Sequence, residues 1–584
     1  MKFLLALSIG PVQDFIAAAR RTRDLWFGSY LLSEISKATA KAVQEKGGIL
    51  IFPAPENDHA LEPDSSLNVA NVIVAEIECE ASEQVAKIAD NAEQAAKKRW
   101  REFADAVFKK YQDCIHQDIW NDQVDDILEC YAAWVPLTDD YQGSRKKLMR
   151  LLSGRKACRN FLPAKGRAGV PKSSLDGLRE SVLIKKECPK IRLNEGEQLD
   201  VVGMVKRCWV RDSEEQIFYP SVSRVAADPW LRGCKETHIQ EFKTACEDLV
   251  KQNVFHSIDT SEARGCPQYG VFPFEGTAVY SSRYVDIQKE TGVQSEALQS
   301  CKKALQNLIQ TFGEASPYFS ILVADGDKMG AAIASIQSSG KHREFSQALA
   351  AFAGEARNIV QQNSGVLVYA GGDDVLAFVP LDKSVACSRS LYDAFAKKKQ
   401  PWSTEGNNLS LSVGIAMVHF MEPLEDILTY GRIAEKHAKS PYSSEGKQKE
   451  RDGFAVHLIK RGNSPTAVRF NWSENPDQYF EKLTSMLRRN VISGRFAYDL
   501  RELARVYEQW PQETVSEAIQ KDVIQVLRKK YPMNKDTDTE VSKLVEKITD
   551  SDSLIQFSDS LLIARQMAGA MDQAEEKIGK KGDQ

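Results

Sequence analysis

No CxxC pair occurs anywhere in the 584 residues, and the eleven cysteines are scattered singly from Cys79 to Cys387, none beside a histidine at zinc-ligand spacing. Zinc is therefore not expected, and neither is a disulfide framework, since the count is odd and the chain large. No stretch approaches the roughly 18 apolar residues of a bilayer span, so no membrane is expected as a partner. The opening MKFLLALSIGPVQDFIAAARR has the lysine and apolar run of a signal peptide, but Gly10-Pro11 and Asp14 interrupt it. It reads as the buried first strand of a cytoplasmic protein. Charge of one sign is missing as well. The 77 basic and 81 acidic residues leave a net −4, which removes any global field for nucleic acid and confines RNA or DNA contact to local patches or partners. Histidine is scarce, and none of the eight is followed by Asp.

What is present is a large α+β chain. Its length exceeds what one hydrophobic core supports, and about three or four domains are expected. Residues 1–157 read as strand (Lys2 to Ile9), long helix (Val12 to Glu45), strand (Gly48 to Phe52), strand (Val69 to Ile77), helical stretch (Ala81 to Cys130) and strand (Tyr131 to Pro136). That βαββαβ order is the ferredoxin-like or palm arrangement. It recurs as strand Tyr318 to Ala324, helix Lys328 to Gln362, strands Val366 to Ala370 and Asp374 to Val379, helix Leu381 to Lys398 and strand Leu409 to Val418. Two ferredoxin-like palm domains are thus expected, at 1–157 and 291–465, with a mixed insert domain at 158–290 and a C-terminal helical domain at 466–584. Apolar residues at three and four spacing in RFAYDLRELARVYEQW carry the last assignment.

The chemistry concentrates in the second unit. Its first strand ends in Asp325-Gly326-Asp327, and its hairpin carries Gly371-Gly372-Asp373-Asp374. The glycines supply the positive φ of a tight turn, whereas two adjacent anions at the start of a half-buried strand repel each other unless a cation sits there. In a ferredoxin-like sheet the first strand lies beside the third, so these two strand ends meet. Alternation points Asp325 and Asp327 to one face, and Gly326 leaves its carbonyl accessible. Asp325, Asp327, Asp373 and Asp374 are accordingly expected to converge on Mg²⁺ or Mn²⁺, the layout of metal-assisted nucleotidyl transfer. Either motif alone also occurs in solvated turns; their order and spacing argue against coincidence. The helix EDILTYGRIAEKHAKS places Lys436 and Lys439 one turn apart, on a face that reaches triphosphate oxygens or merely water.

GGDD, DGDKMG, the opening SIGPVQDFIAAARRTRDLWFGSYLLS and the segments PKSSLDG, GEQLDVVG and FYPSVSRVAADPW together resemble the large subunit of type III-B CRISPR effector complexes. The resemblance spans nearly the whole chain. It implies an antiviral, RNA-activated nucleotidyltransferase that converts ATP into a cyclic oligoadenylate, or another AMP-containing, second messenger and releases pyrophosphate. Its implied partners are the other subunits of the complex, CRISPR RNA and target RNA. Carried over, Asp373 and Asp374 match the palm carboxylates and Asp325 and Asp327 the first-strand pair. The catalytic residues would be Asp373, Asp374 and Asp325, with Gly326, Asp327, Gly371, Gly372 and Lys439 around the nucleotide; Lys439 is similar in position to a lysine that GGDEF-type cyclases use on triphosphate. The first palm has Ser8-Ile9-Gly10-Pro11 at the equivalent strand end and is expected to position a nucleotide without catalysing.

Two departures from the family carry expectations of their own. Many members begin with an HD nuclease domain, but here the palm motif starts at residue 9, so no HD nuclease is expected. Many bind zinc through paired cysteines in the middle domain, where Cys158, Cys188, Cys208 and Cys234 are singletons. The alternatives are a non-catalytic scaffold of the ribonucleoprotein and a stand-alone diguanylate-type cyclase, which the long middle and C-terminal domains argue against. Arg20, Arg21 and Arg23 with Trp26 and Tyr30 read as a helix face or subunit interface, and Ser221 and Ser223 as lining of the nucleotide pocket.

Overall fold

The computed structural model describes residues 1–158, 166–184, 191, 193, 196–209, 219–258, 269–291, 296–399, 402, 408–444, 447–460, 465–508, 510, 512–530 and 535–575. Its first unit consists of β1 (Lys2–Gly10), α1 (Gln13–Ala17), α2 (Thr22–Glu45), β2 (Ile49–Phe52), β3 (Val72–Glu78), α3 (Ser82–Tyr111), α4 (Gln117–Val124) and β4 (Glu129–Pro136). The sheet order is β2-β3-β1-β4, all antiparallel, which is the expected ferredoxin-like arrangement. β1 is apolar almost throughout because both its faces are covered. Phe3, Leu5, Leu7 and Ile9 pack under α2 and α3, while Leu4 and Ala6 share a core with Tyr141, Leu148 and Leu152 of α5 (Tyr141–Ala157). Each such large side chain contributes about 1.5–3 kcal/mol on burial.

The helix expected as one piece from Val12 to Glu45 is two. Lys206 is wholly buried, and its ammonium donates to the carbonyls of Phe15 and Ala18 (3.0 Å for the latter). The last carbonyls of α1 are thereby satisfied from outside the helix, and the chain turns before α2 begins.

The middle segment contributes α6 (Val201–Cys208), α7 (Val222–Gly233), α8 (Glu236–Lys251) and α9 (Tyr284–Thr291), followed by α10 (Glu296–Phe312). Of its cysteines, Cys158 is exposed, Cys208 and Cys234 are buried free thiols, and Cys188 lies outside the described residues. Cys114 is disulfide-bonded, a crosslink that scattered single cysteines did not suggest.

The second unit runs β5 (Tyr318–Asp327), α11 (Met329–Ser335), α12 (Ser339–Gln362), β6 (Val366–Gly371), β7 (Asp374–Val379), α13 (Ser384–Lys399), β8 (Ser410–His419) and α14 (Leu424–Lys439). A short hairpin, β9 (Tyr442–Ser444) and β10 (Lys447–Lys449), precedes β11 (Gly453–Leu458) and β12 (Thr466–Asn471). The sheet order is β12-β11-β8-β5-β7-β6. The four central and edge strands β8, β5, β7 and β6 repeat the topology of the first sheet; β11 and β12 extend it and were not expected. β12 falls past residue 465, so this sheet continues into the segment read as helical. Beyond it come α15 (Pro476–Arg488), α16 (Phe496–Tyr507), α17 (Gln512–Lys530), α18 (Lys535–Val545) and α19 (Ser551–Ala574).

The two units grip each other reciprocally. α2 of the first lies along β6, the edge strand of the second sheet, and α12 of the second lies along β2, the edge strand of the first. Each exposed strand edge is thus covered by the other unit's long helix. Arg343 donates to Leu50 O (2.5 Å), Arg357 to Ser66 O (3.2 Å) and Asn68 to Ala370 O (2.7 Å), one residue from the GGDD glycines. Among the described residues, no helix is long and apolar enough to cross a membrane.

Candidate active site

β5 stays in the sheet three residues past Ala324, pairing Asp325 with Ser412, Gly326 with Leu411 and Asp327 with Ser410. This extension decides the fate of the two aspartates. The β6–β7 hairpin closes on Gly371 opposite Asp374, with Gly372 at φ 67°, a conformation that glycine adopts without strain. Only Gly372 has positive φ in this turn. The hairpin tip drops Asp373 onto Gly326, where a Cβ would lie 2.7 Å from Asp373 Oδ2 and 2.8 Å from Met329 Cγ. Gly326 is therefore glycine because Asp373 occupies the place of its side chain. Its N–H, together with that of Asp373 itself, holds the carboxylate.

Asp325, Asp373 and Asp374 come together, each offering an oxygen within 4.8 Å of the others. The four-carboxylate cluster suggested by strand alternation is corrected to three, because Asp327 is turned inward. It is fully buried, and its Oδ2 accepts from Ser410 Oγ (2.7 Å), Ser412 Oγ (2.8 Å) and Asp452 N (3.0 Å), with Arg451 Nη1 3.5 Å from Oδ1. It pins β5, β8 and the turn before β11 rather than joining the group at the surface.

The charge balance of the trio favours a cation. Loss of hydration pushes the Asp373 carboxyl up to about 6, against those N–H bonds. Asp374, although its edge is exposed, is pushed up to about 7, first by loss of hydration and then by the negative charges of Asp373 and Glu435. Three hard oxygen donors, two of them with ionised forms disfavoured for want of positive charge, fit Mg²⁺ or Mn²⁺.

Lys439, at the C-terminal end of α14, supplies one cation. Its ammonium pairs with Asp325 and with Glu435 Oε1 (2.6 Å), and burial lowers it to about 8. Lys436 is exposed on the same helix. Glu435 was missed in the sequence; its signal was the i,i+4 spacing to Lys439. Ser221 caps α7, bonds Ser223 (2.8 Å), and lines a cavity of about 250 Å³ with Arg20, Arg21 and Phe420. Phe420 follows the end of β8 opposite Ser410, about 30 Å along the strand from the carboxylates. The Arg20–Arg23 cluster is split, with Arg20 exposed, Arg21 lining that cavity and Arg23 turned inward. Arg23 is buried against the carbonyls of Lys206, Arg207 and Trp209, and Trp26 stacks on Tyr30 and Tyr219.

One prediction follows from the close approach at Gly326. Gly326→Ala is expected to displace Asp373 and to weaken Mn²⁺ binding at least tenfold by titration calorimetry, with melting little changed, because the clash meets a hairpin tip and not the sheet core. Unaltered Mn²⁺ affinity in this variant would remove Asp373 from the site.

Residues 318–453 match the family model for the Cas10/Cmr2 second palm domain, and residues 4–105 that for the CRISPR-associated protein Cmr2 N-terminal domain. The Cmr subunit Cmr2 of Pyrococcus furiosus is 25% identical, over 90% of this chain and 69% of its own length. Among solved structures, a type III-B Cmr-beta complex in the apo state has a chain similar in fold, with TM-score 0.63 at 13% identity over 97% of this chain and 82% of that one. The same complex bound to cognate target RNA gives TM-score 0.63 over 97% and 83%. A family model thus matches within each palm unit, and similarity to one Cmr2 runs over nine tenths of the sequence.

Proposed function

We propose that this chain is the ATP-polymerising subunit of a type III-B complex, joining ATP into cyclic oligoadenylate when the complex holds target RNA. The observation that carries the reading is the convergence of Asp325, Asp373 and Asp374 at one strand end, inside the segment matching the Cas10/Cmr2 second palm.

The chemistry follows from these side chains. A divalent ion held by the three carboxylates would neutralise triphosphate oxygens and lower the pKa of the attacking hydroxyl. Asp373, fixed by the Gly326 N–H, and Asp325, at the end of the most central strand, give that charge a rigid address. Asp374 on the hairpin lies toward solvent, on the side from which an acceptor enters. Lys439 at about 8 stays largely protonated at neutral pH and exchanges Asp325 for a phosphate oxygen. The 3′-oxygen of the acceptor attacks the α-phosphorus of the donor, the bond to the bridging oxygen breaks, and pyrophosphate leaves with Lys439 beside its charge. The first palm has Ser8, Ile9 and Gly10 where the second has its aspartates, so its part is to hold the opposing nucleotide.

The test is to incubate the chain with labelled ATP or GTP and Mg²⁺, alone and in its assembled complex, with and without target RNA. Oligoadenylate made only from ATP and only with target RNA is the expected result. A GTP product from the isolated chain would indicate a diguanylate-type cyclase, and no product from an intact complex would leave a scaffold.

A further inference from the structure

The segment 141–175 holds ten Lys and Arg residues and no Asp or Glu, in a chain whose net charge is −4. The rest of the protein therefore carries fourteen more acidic than basic groups. A run of 35 residues without an acid is unusual where acids make up 81 of 584; at that frequency about five would be present. Ordinary solvated helices here look different. α3 interleaves acidic and basic residues and pairs them internally, as in Lys97 with Glu93 and Arg99 with Glu102.

The helical part of the basic run is α5. Tyr141, Ser144, Leu148 and Leu152 are its buried stripe, packed on β4 and β1. At 100° per residue, Lys146, Lys147 and Arg150 fall opposite that stripe, and all three are exposed. Lys156 is also exposed near the helix C-terminus, while Arg155 turns toward β4 and lies over the Tyr131 ring (5.6 Å). Among the described residues no carboxylate pairs with Lys146, Lys147, Arg150 or Lys156. From Lys146 to Lys156 the helix rises about 15 Å, a length over which a nucleic-acid strand, with one charge per about 3.4 Å of axis, presents several phosphates.

We infer that the exposed face of α5 is a docking surface for the phosphate backbone of RNA. The inference deepens the proposed function by locating RNA on this chain, and it rests on that reading only for the choice of RNA over other polyanions. Lysine and arginine without acidic partners are the side chains that release counterions from a phosphate backbone, and nothing in this face reads bases. The surface is mechanically close to the carboxylates. Gln142 and Arg145 of the same helix donate to Ala334 O (2.6 Å) and Ile333 O (2.9 Å) at the end of α11. α11 starts at Met329, whose side chain packs by Gly326. An RNA strand drawn onto α5 thus bears on the helix that leaves the catalytic strand.

The test is binding of a labelled single-stranded RNA of mixed sequence to the full chain, followed by anisotropy across a KCl series. The triple variant Lys146→Glu, Lys147→Glu and Arg150→Glu is expected to raise Kd at least tenfold and to flatten the slope of log affinity against log salt by about 2, three contacts at about 0.7 each. A control variant, Lys87→Glu, Lys98→Glu and Lys109→Glu on the mixed-charge face of α3, has the same net charge and is expected to bind nearly as wild type. Equal loss in both variants, or no loss in the first with its melting temperature unchanged, overturns the inference. So does unaltered RNA binding combined with loss from the assembled complex, which would make the face a dock for an acidic protein. Because binding is read apart from ATP turnover, a chain that binds RNA through α5 but makes no oligoadenylate refutes the proposed activity and not this surface.

Discussion

Asp373→Asn with Asp374→Asn is expected to abolish oligoadenylate synthesis, by about 10³-fold or more, while the complex assembles normally. The magnitude is what loss of a metal-holding carboxylate pair costs in transition-state charge stabilisation, several kcal/mol. Assembly is expected to survive because asparagine keeps an oxygen that accepts from the Gly326 N–H, and the hairpin is otherwise held by its backbone. Gly372 sets the turn at φ 67° and β6 and β7 pair through backbone from Val366 to Asp374. The variant is also expected to melt no lower than wild type at neutral pH, since loss of hydration and mutual repulsion already disfavour the two ionised carboxyls. Added Mg²⁺ or Mn²⁺ raises the melting temperature of wild type and leaves that of the variant unmoved, by mass action on the folded state. Product from the variant at the wild-type rate would move the chemistry elsewhere. Failed assembly would show that the hairpin also serves an interface.

Asp327 gives the control that separates chemistry from architecture. Its buried carboxylate accepts three hydrogen bonds, from Ser410, Ser412 and the N–H of Asp452. Nothing local in DGD distinguishes it from Asp325; the distinction is made by hydroxyls more than eighty residues later, on a strand that pairs past the point where the apolar run ends. The sequence showed the site to the extent that its determinants were local: glycines at a tight turn, apolar runs ending in aspartate, and a pattern repeated twice. Glu435, the two added strands β11 and β12, and the Lys206 ammonium that divides α1 from α2 depend on partners distant in the chain, so no window of residues announced them. The same holds for Arg20 to Arg23. Their spacing on a helix reads as a surface, yet Arg23 is drawn inward by three carbonyls of the segment after α6 begins.

The motifs by which the family is recognised do a second job, and Arg207 tests it. Arg207 on α6 is 2% exposed and grips two carboxylates that are as deeply buried: Asp24 of α2 through Nε (2.9 Å) and Nη2 (2.7 Å), and Glu197 through Nη2 (2.9 Å). Asp24 lies in RTRDLW and Glu197 in GEQLDVVG, so two of the segments that resemble the family meet here at a salt-bridged junction between the first palm and the middle segment. Arg207→Met is expected to destabilise the first unit by about 3–5 kcal/mol, because it removes the guanidinium that two buried anions share. For about 200 residues that lowers the first thermal transition by roughly 10 °C. Arg207→Lys keeps the charge but loses the bidentate fork, and falls in between. The triple variant Arg207→Met, Asp24→Leu and Glu197→Leu is expected to recover most of the loss, since removing all three charges abolishes the desolvation cost together with the attraction. If Arg207→Met melted as wild type does, the junction would be held by apolar packing alone, by Leu25, Val205 and their neighbours, and the triad would need another explanation. If the triple variant melted as low as the single one, the guanidinium would be acting through geometry that no apolar side chain replaces.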